Sequence, residues 1–243
     1  MTALLLKEIR SFLSSLIGYV VIGVFLLLIG LFMWIFPGDW NTLDNGFANL
    51  DTLFVIAPWV FMFLIPAITM RSFSEEKRTG TMELLLTRPL TDFQIIWAKY
   101  LSGVILVLFA LIPTIVYYIT IYILGEPVGN LDSGGILGSY IGLLFLGGSF
   151  VAIGLFTSSI TPNQIVSFLV SAIVCFFMFI GFQSLGSFDL FGRFDRFIIK
   201  LGIEDHYLSM SRGLLDSRDI LYFCGLIAIF LLLTRTVLQA RKW

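Results

Sequence analysis

The residue types best suited to chemistry stand together at 204–207, which read Glu-Asp-His-Tyr. Two carboxylates beside the chain's single histidine, His206, are groups that bind a transition metal or transfer a proton. Adjacent side chains seldom converge on one ion, because neighbours along a chain point in different directions. An enzyme therefore stays open only as an alternative, which loss of function in His206→Ala at normal expression would support.

Other reactive or polar side chains inside apolar runs are Cys175, Cys224 and Gln183. Two such thiols form neither a disulfide framework nor a metal cluster, so we predict that both are packing residues. For Gln183 we predict an interhelical hydrogen bond. The sequence lacks the G-x-x-x-x-G-K-[ST] phosphate-binding motif, so we expect this chain not to bind ATP by that route. We also expect no catalytic residue, no metal and no cofactor of its own.

A dense mixed-charge stretch, RSFSEEKRTGTMELLLTRPLTDFQ at 71–94, interrupts the apolar first half of the chain. Gly80 ends its first charged run, Thr81 is a candidate N-cap, and Pro89 stops a short helix with leucines at 84–86. Three leucines on so short a helix need an apolar surface to cover them. Their spacing leaves two surfaces open, a partner protein or the chain's own helices.

The composition of the whole chain is that of an integral membrane protein. Of 243 residues, 58% are hydrophobic and 13% are charged, against about 45–50% and about 25% in soluble domains. A soluble chain of this size would lack the polar side chains to cover its surface, whereas a bilayer removes that requirement. The net charge of −1 gives no general attraction to nucleic acid, so we expect none as a partner.

Six apolar runs are long enough to cross about 30 Å of hydrocarbon as helices. We therefore predict an all-α, polytopic membrane protein with a single transmembrane domain over residues 1–243. The predicted spans are residues 16–36, 53–70, 100–124, 136–160, 165–185 and 220–238.

Local signals mark where several of these helices begin and bend. The sequences TDFQ at 91–94 and TPNQ at 161–164 both fit a capping box, the second with Pro162 at the first helical position. The third helix should therefore start near residue 92, before its membrane span. Pro113 is expected to bend that helix, and prolines 58 and 66 the second one.

The distribution of Lys and Arg predicts the orientation. Ten of the fifteen lie before the first span, in the 71–99 loop and in the tail after residue 234, so both termini and that loop should be cytoplasmic. The loops at 37–52 and 125–135 carry acidic residues and no Lys or Arg. Residues 186–219 mix both charges; span parity places them outside, where their apolar residues indicate short amphipathic helices at the interface.

Residues 1–15 combine apolar side chains at helical spacing with a charged and serine-rich opposite face, which predicts an amphipathic helix on the inner membrane surface. A plain extension of the first span is the alternative. In the fourth span, Gly134, Gly138 and Gly142 recur every four residues, which predicts close helix packing. A substrate path lined by exposed backbone is the other interpretation of these glycines.

Three stretches resemble a known family. FSEEKRTGTMELLLTRPLTDFQIIWAKYL at 73–101 resembles the cytoplasmic loop of type-2 ABC transporter permeases (ABC-2 membrane subunits). GNLDSGGILGSYIGLLFLGGSFVAIGLFTSSITPNQIVSF at 129–168 is similar to the subfamily of gliding-motility-associated permeases (GldF type) and nitrous-oxide-reductase maturation permeases. SRGLLDSRDILYF at 211–223 resembles the gliding-motility group most closely.

This resemblance implies an interfacial N-terminal helix, a cytoplasmic coupling helix that docks on a separate ATPase subunit, and outer helices that partly re-enter the membrane before the last span. ATP and Mg²⁺ would be bound by that ATPase, so the chain itself would not be an enzyme. A second permease half, identical or a relative with a large extracytoplasmic domain, would complete the complex in a bacterial inner membrane. The implied docking residues are Glu75, Glu76, Lys77, Arg78, Gly80, Thr81, Glu83, Leu84, Leu85 and Leu86.

The leading functional prediction is a permease subunit that couples ATP hydrolysis to export or to gliding-motility-associated work. Few ionisable residues interrupt the spans, which favours a lipid-like cargo or none. Two alternatives follow: a mechanotransmission subunit that moves no cargo, and the permease of another ABC-2 exporter, such as the nitrous-oxide-reductase maturation type.

Overall fold

The computed structural model describes residues 1–82, 91–188, 192 and 195–240, and within these ranges it is helical without a β-strand. The α-helices are α1 (Thr2–Leu13), α2 (Leu16–Trp34), α3 (Thr42–Asn45), α4 (Asp51–Thr69), α5 (Ser74–Arg78), α6 (Asp92–Leu111), α7 (Ile115–Leu124), α8 (Ser133–Ile160), α9 (Gln164–Phe176), α10 (Phe182–Ser187), α11 (Asp195–Ile199), α12 (Ile203–Met210) and α13 (Ser217–Gln239). A 3₁₀ turn joins α6 to α7 and a π-helical turn joins α9 to α10.

The predicted all-α polytopic architecture is confirmed. Five helical stretches are long and apolar enough to cross a membrane, and α1 with α2 makes a sixth if that bent pair counts as one span. The five stretches are Asp51–Arg78, Asp92–Leu124, Ser133–Ile160, Gln164–Ser187 and Ser217–Gln239.

The first span is preceded by a separate helix. A bend of 66° separates α1 from α2, and Ser15 caps α2 by accepting a hydrogen bond from the Gly18 backbone N–H at 3.2 Å. A Cβ at Gly18 would lie 2.4 Å from the Phe12 carbonyl oxygen, so the bend requires glycine there. This geometry contradicts a straight extension of the first span and agrees with an independent amphipathic helix.

The capping box at Thr91 is confirmed, since its Oγ1 and the Gln94 side chain exchange hydrogen bonds with each other's backbone N–H at 3.3 and 3.2 Å. Pro113 lies in the 3₁₀ turn between α6 and α7. The second capping box is wrong. The residue before Pro162 is extended and ends α8, so α9 cannot begin there. The side chain of Asn163 caps α9 instead.

The central helix is α8, which packs against α4, α6, α9 and α13. Its glycines do bring neighbours close, but Gly138 and Gly142 approach Gly213 and Met210 at the end of α12 rather than another span. Gly134 is exposed, and a Cβ there would meet only the Asp132 carboxylate.

The two polar segments lie at opposite ends of the bundle. At the first turn of α4, the Phe54 carbonyl accepts a hydrogen bond from the buried Tyr207 hydroxyl at 2.6 Å, which places α12 there. At the other end of α4, the Ser72 carbonyl accepts a hydrogen bond from Lys99. We name these the His206 end and the Lys99 end. The side of the membrane on which residues 186–219 lie stays a prediction.

Candidate functional site

A buried lysine organises the Lys99 end. Only 2% of Lys99 is exposed, and its ammonium group donates to Glu76 Oε1 at 2.9 Å, Glu8 Oε1 at 3.0 Å and the Ser72 carbonyl at 2.6 Å. An ammonium group has three donors, so these contacts satisfy it completely. One side chain thereby joins α1, the turn before α5, α5 itself and α6. We call Glu8, Ser72, Glu76 and Lys99 the Lys99 cluster.

The surroundings of the cluster reinforce this arrangement. The ammonium group also lies 5.0 Å from the centroid of the fully buried Phe73 ring, within range of a cation–π contact. The exposed Lys7 lies 3.8 Å from the same Glu76 oxygen. The two carboxylates are thus matched by two ammonium groups, of which only Lys99 is removed from solvent.

Local sequence places each member of the cluster. The Thr91 cap fixes the start of α6, so Lys99 follows about two turns later, at the level where α1 packs. On α1, Glu8 lies four residues after the buried Leu4 and so shares its inward face. Sequence reasoning used Lys99 only to orient the loop. The signal that could have identified Lys99 as a buried residue was its position as a single lysine inside an apolar helical run.

The implied docking residues divide into two groups. Arg78, Gly80 and Thr81 are exposed, whereas residues 75–77 are half-buried. Gly80 adopts a left-handed φ of +69°, which favours glycine and turns the chain after α5. Glu76 faces inward to Lys99. The remaining members of the predicted set, Glu83, Leu84, Leu85 and Leu86, lie outside the described residues.

His206 belongs to a second polar group, at the other end of the bundle. Its Nδ1 lies 2.7 Å from Asp219 Oδ1, its Nε2 lies 2.9 Å from the Lys200 carbonyl oxygen, and its ring stacks on Tyr222 at 3.9 Å. Its carboxylate partner is therefore Asp219 at the start of α13, not its sequence neighbours. Burial raises the pKa of the Glu204 carboxyl.

Both imidazole nitrogens face acceptors of the chain itself, so His206 connects α12 to α13. The described residues contain no cluster of His, Cys, Asp and Glu able to hold a metal ion.

Two predictions about isolated side chains are wrong. Cys175 is buried, as predicted for a packing residue, but Cys224 is exposed on α13. Gln183 is also exposed, and its side chain makes no hydrogen bond within the described part of the chain. Apolar surroundings in sequence do not show which helix face points outward, since each span here has a face for its neighbours and a face for lipid.

A family model described as "ABC-2 family transporter protein" matches residues 41–194, more than half of the 243 residues. The matched region includes Glu76 and Lys99 and ends before His206. No curated protein matches the chain.

Proposed function

Because the chain belongs to the ABC-2 family of transporter proteins and is thus a permease subunit of an ABC transporter, we propose that a separate ATPase subunit drives it through residues 71–90. In this proposal the ATPase binds the surface of that segment and the Lys99 cluster transmits the resulting movement to the helices. ATP and Mg²⁺ are bound by the ATPase.

The observation that carries this proposal is the position of Lys99. A coupling segment moves transmembrane helices only if its attachments to them do not yield. Residues 51–78 form one helical stretch across α4 and α5, and the buried Lys99 ties α5 to both α1 and α6. A displacement of the segment would therefore move α4 and α6 together.

The proposed docking surface is the exposed part of the segment together with the leucines at 84–86. Arg78, Gly80 and Thr81 are exposed, which supports their assignment to this surface. Leucines inserted into an apolar groove would supply the affinity, while the flanking charges would set orientation.

The test is recovery of the ATPase with the purified permease. Leu84→Asp would place a charge in an apolar interface, and Glu83→Lys would reverse a charge that complements the ATPase. Both variants should therefore release the ATPase. The matched control is Leu214→Asp, at a leucine that is 64% exposed and lies between α12 and α13; it should retain the ATPase. Equal recovery with Leu84→Asp and Leu214→Asp would reject the docking surface.

The cargo is proposed to be lipid-like or absent. Two grooves along the described spans have apolar walls, one between α2 and α4 and one between α6, α7 and α8. Such walls offer a hydrophilic cargo few polar partners. ATP-dependent accumulation of a lipid-like cargo in reconstituted vesicles would support export, and ATP turnover without cargo movement would support mechanotransmission.

The finer assignment is to a gliding-motility-associated complex in a bacterial inner membrane, with both termini cytoplasmic. It is supported by the resemblance at 129–168 and 211–223. Mass spectrometry of the purified complex tests it. A related membrane subunit with a large extracytoplasmic domain is expected, whereas two identical copies of this chain would favour another ABC-2 exporter.

A further inference from the structure

A polar cavity of about 310 Å³ lies beside the Lys99 cluster. Its walls come from α1, the end of α4, the turn into α5, and α6. That volume is within the range of small-molecule sites, which begins near 300 Å³.

The cavity presents charges of both signs. Arg71 and Glu75 line it, and neither has an ion-pair partner within the described part of the chain. Glu8 also lines it, with Oε1 engaged by Lys99. One guanidinium and two carboxylates around one space complement a ligand that carries both an anionic and a cationic group.

The hydroxyl groups of the cavity define the cationic group further. Ser15 Oγ donates to the Phe12 carbonyl at 2.8 Å, and Ser102 Oγ donates to the Lys99 carbonyl at 2.7 Å. Ser14 and Thr69 likewise donate to carbonyls of their own helices. Since these protons are committed, these four of the six hydroxyls in the cavity wall offer the cavity only lone pairs, as the carboxylates do. Such a lining suits a cation that carries N–H donors.

An apolar groove adjoins the polar cavity. It has a volume of about 730 Å³ between α2 and α4, and Ala67 lines both spaces. The 19 residues of α4 extend about 28 Å at 1.5 Å per residue, close to the thickness of the hydrocarbon. The end of α4 therefore lies at headgroup depth, and the groove lies at the depth of acyl chains.

We propose that this chain binds a phospholipid with a primary ammonium headgroup, of the phosphatidylethanolamine type. Arg71 receives the phosphate, Glu75 and Glu8 receive the ammonium group, and an acyl chain occupies the groove along α2 and α4. Phosphatidylcholine lacks N–H donors and phosphatidylglycerol lacks the cation, so neither satisfies the carboxylates. The inference concerns the permease chain alone and does not rest on ATPase docking.

The test is lipid retention by the purified full-length chain in detergent. The delipidated protein is incubated with equal amounts of dioleoyl phosphatidylethanolamine, phosphatidylcholine and phosphatidylglycerol, and bound lipids are counted by native mass spectrometry. Phosphatidylethanolamine should be retained preferentially. Glu75→Gln should reduce its retention roughly tenfold, the usual effect of losing a charge-assisted hydrogen bond, while phosphatidylcholine retention stays the same.

Two further variants separate this site from general effects. Arg71→Gln should also lower phosphatidylethanolamine retention, whereas Glu126→Gln, at an exposed position outside the cavity, should not. Unchanged retention in Glu75→Gln and Arg71→Gln, or equal retention of phosphatidylcholine by the native chain, would overturn the proposal. Displacement of the lipid by an equal concentration of soluble glycerophosphoethanolamine would show that the groove contributes nothing and would overturn the lipid assignment.

Discussion

At the scale of single residues, Lys99 shows how one buried charge determines which elements are joined. Its ammonium group is almost fully removed from solvent, and its two carboxylate partners lie on α1 and α5. A buried ion pair is weak evidence for net stability, because desolvation offsets attraction. Its consequence is specific geometry, since its three donors are satisfied by acceptors on α1, on α5 and in the turn before α5.

Lys99→Met should destabilise the protein strongly. The variant leaves Glu8 and Glu76 facing each other in a poorly solvated site, and breaking a buried pair in this way costs about 3–5 kcal/mol. The matched control is Lys7→Met, which removes an ammonium group near the same Glu76 oxygen from an exposed position. Thermal unfolding of the purified chains should show a large drop in Tm for Lys99→Met and a small one for Lys7→Met. Equal drops would contradict a special role for Lys99.

The sequence could not identify the partners of these residues. Glu8 and Lys99 are 91 residues apart, and Glu76 and Lys99 are 23 apart, so no helical period relates them. The same reason explains His206, whose adjacent carboxylates drew attention while its contact is Asp219, 13 residues later. Local spacing predicts which helix face a residue occupies, but not which distant helix covers that face.

At the scale of elements, helix boundaries were the most predictable feature because their causes are local. The start of α6 follows from the Thr91 and Gln94 side chains, and its end follows from Pro113. The start of α9 was mispredicted because two local signals compete at 161–164, and the Asn163 side chain caps the helix after Pro162. The close contacts of α8 needed the structure, because they depend on the residue facing each glycine.

Gly154→Ala should test the packing of α8 against α4. A Cβ at Gly154 would lie 2.0 Å from Oγ1 of the buried Thr69 and 2.8 Å from its Cβ, so the two helices would have to separate. Overpacking of this kind costs about 1–3 kcal/mol. Gly23→Ala on α2 is the matched control, since nothing lies within 4 Å of its added Cβ. We expect a lower Tm for Gly154→Ala only; the same Tm in both variants would show that α8 and α4 tolerate separation.

At the scale of the whole molecule, α4 and α5 connect the two polar ends. Near its start, α4 accepts the buried hydrogen bond from Tyr207 on α12. After its end, the Ser72 carbonyl and Glu76 hold Lys99. Movement applied to residues 71–90 would therefore reach the His206 end along one helical stretch, with α6 carried by the same ion pairs. This is the physical path by which we propose that ATP hydrolysis changes the arrangement of the spans.

Overall topology was predictable from composition and run length, because each crossing of a bilayer requires a run of roughly 20 apolar residues. The first span shows the limit of that rule. Its 66° bend from α1 depends on contacts between Phe12, Ser15 and Gly18, which hydropathy does not register. The polar cavity was likewise beyond sequence reasoning, because four separate parts of the chain form its walls.

The proposal that the ATPase binds residues 71–90 is tested most directly by site-specific cross-linking in membranes that contain the chain with its ATPase. A photoreactive group is attached through Thr81→Cys, or through Arg212→Cys at the His206 end, in a chain whose exposed Cys224 is replaced by serine. Cross-links to the ATPase are expected from position 81 and none from position 212. Cross-links from position 212, or none from position 81 in an intact complex, would contradict the proposal.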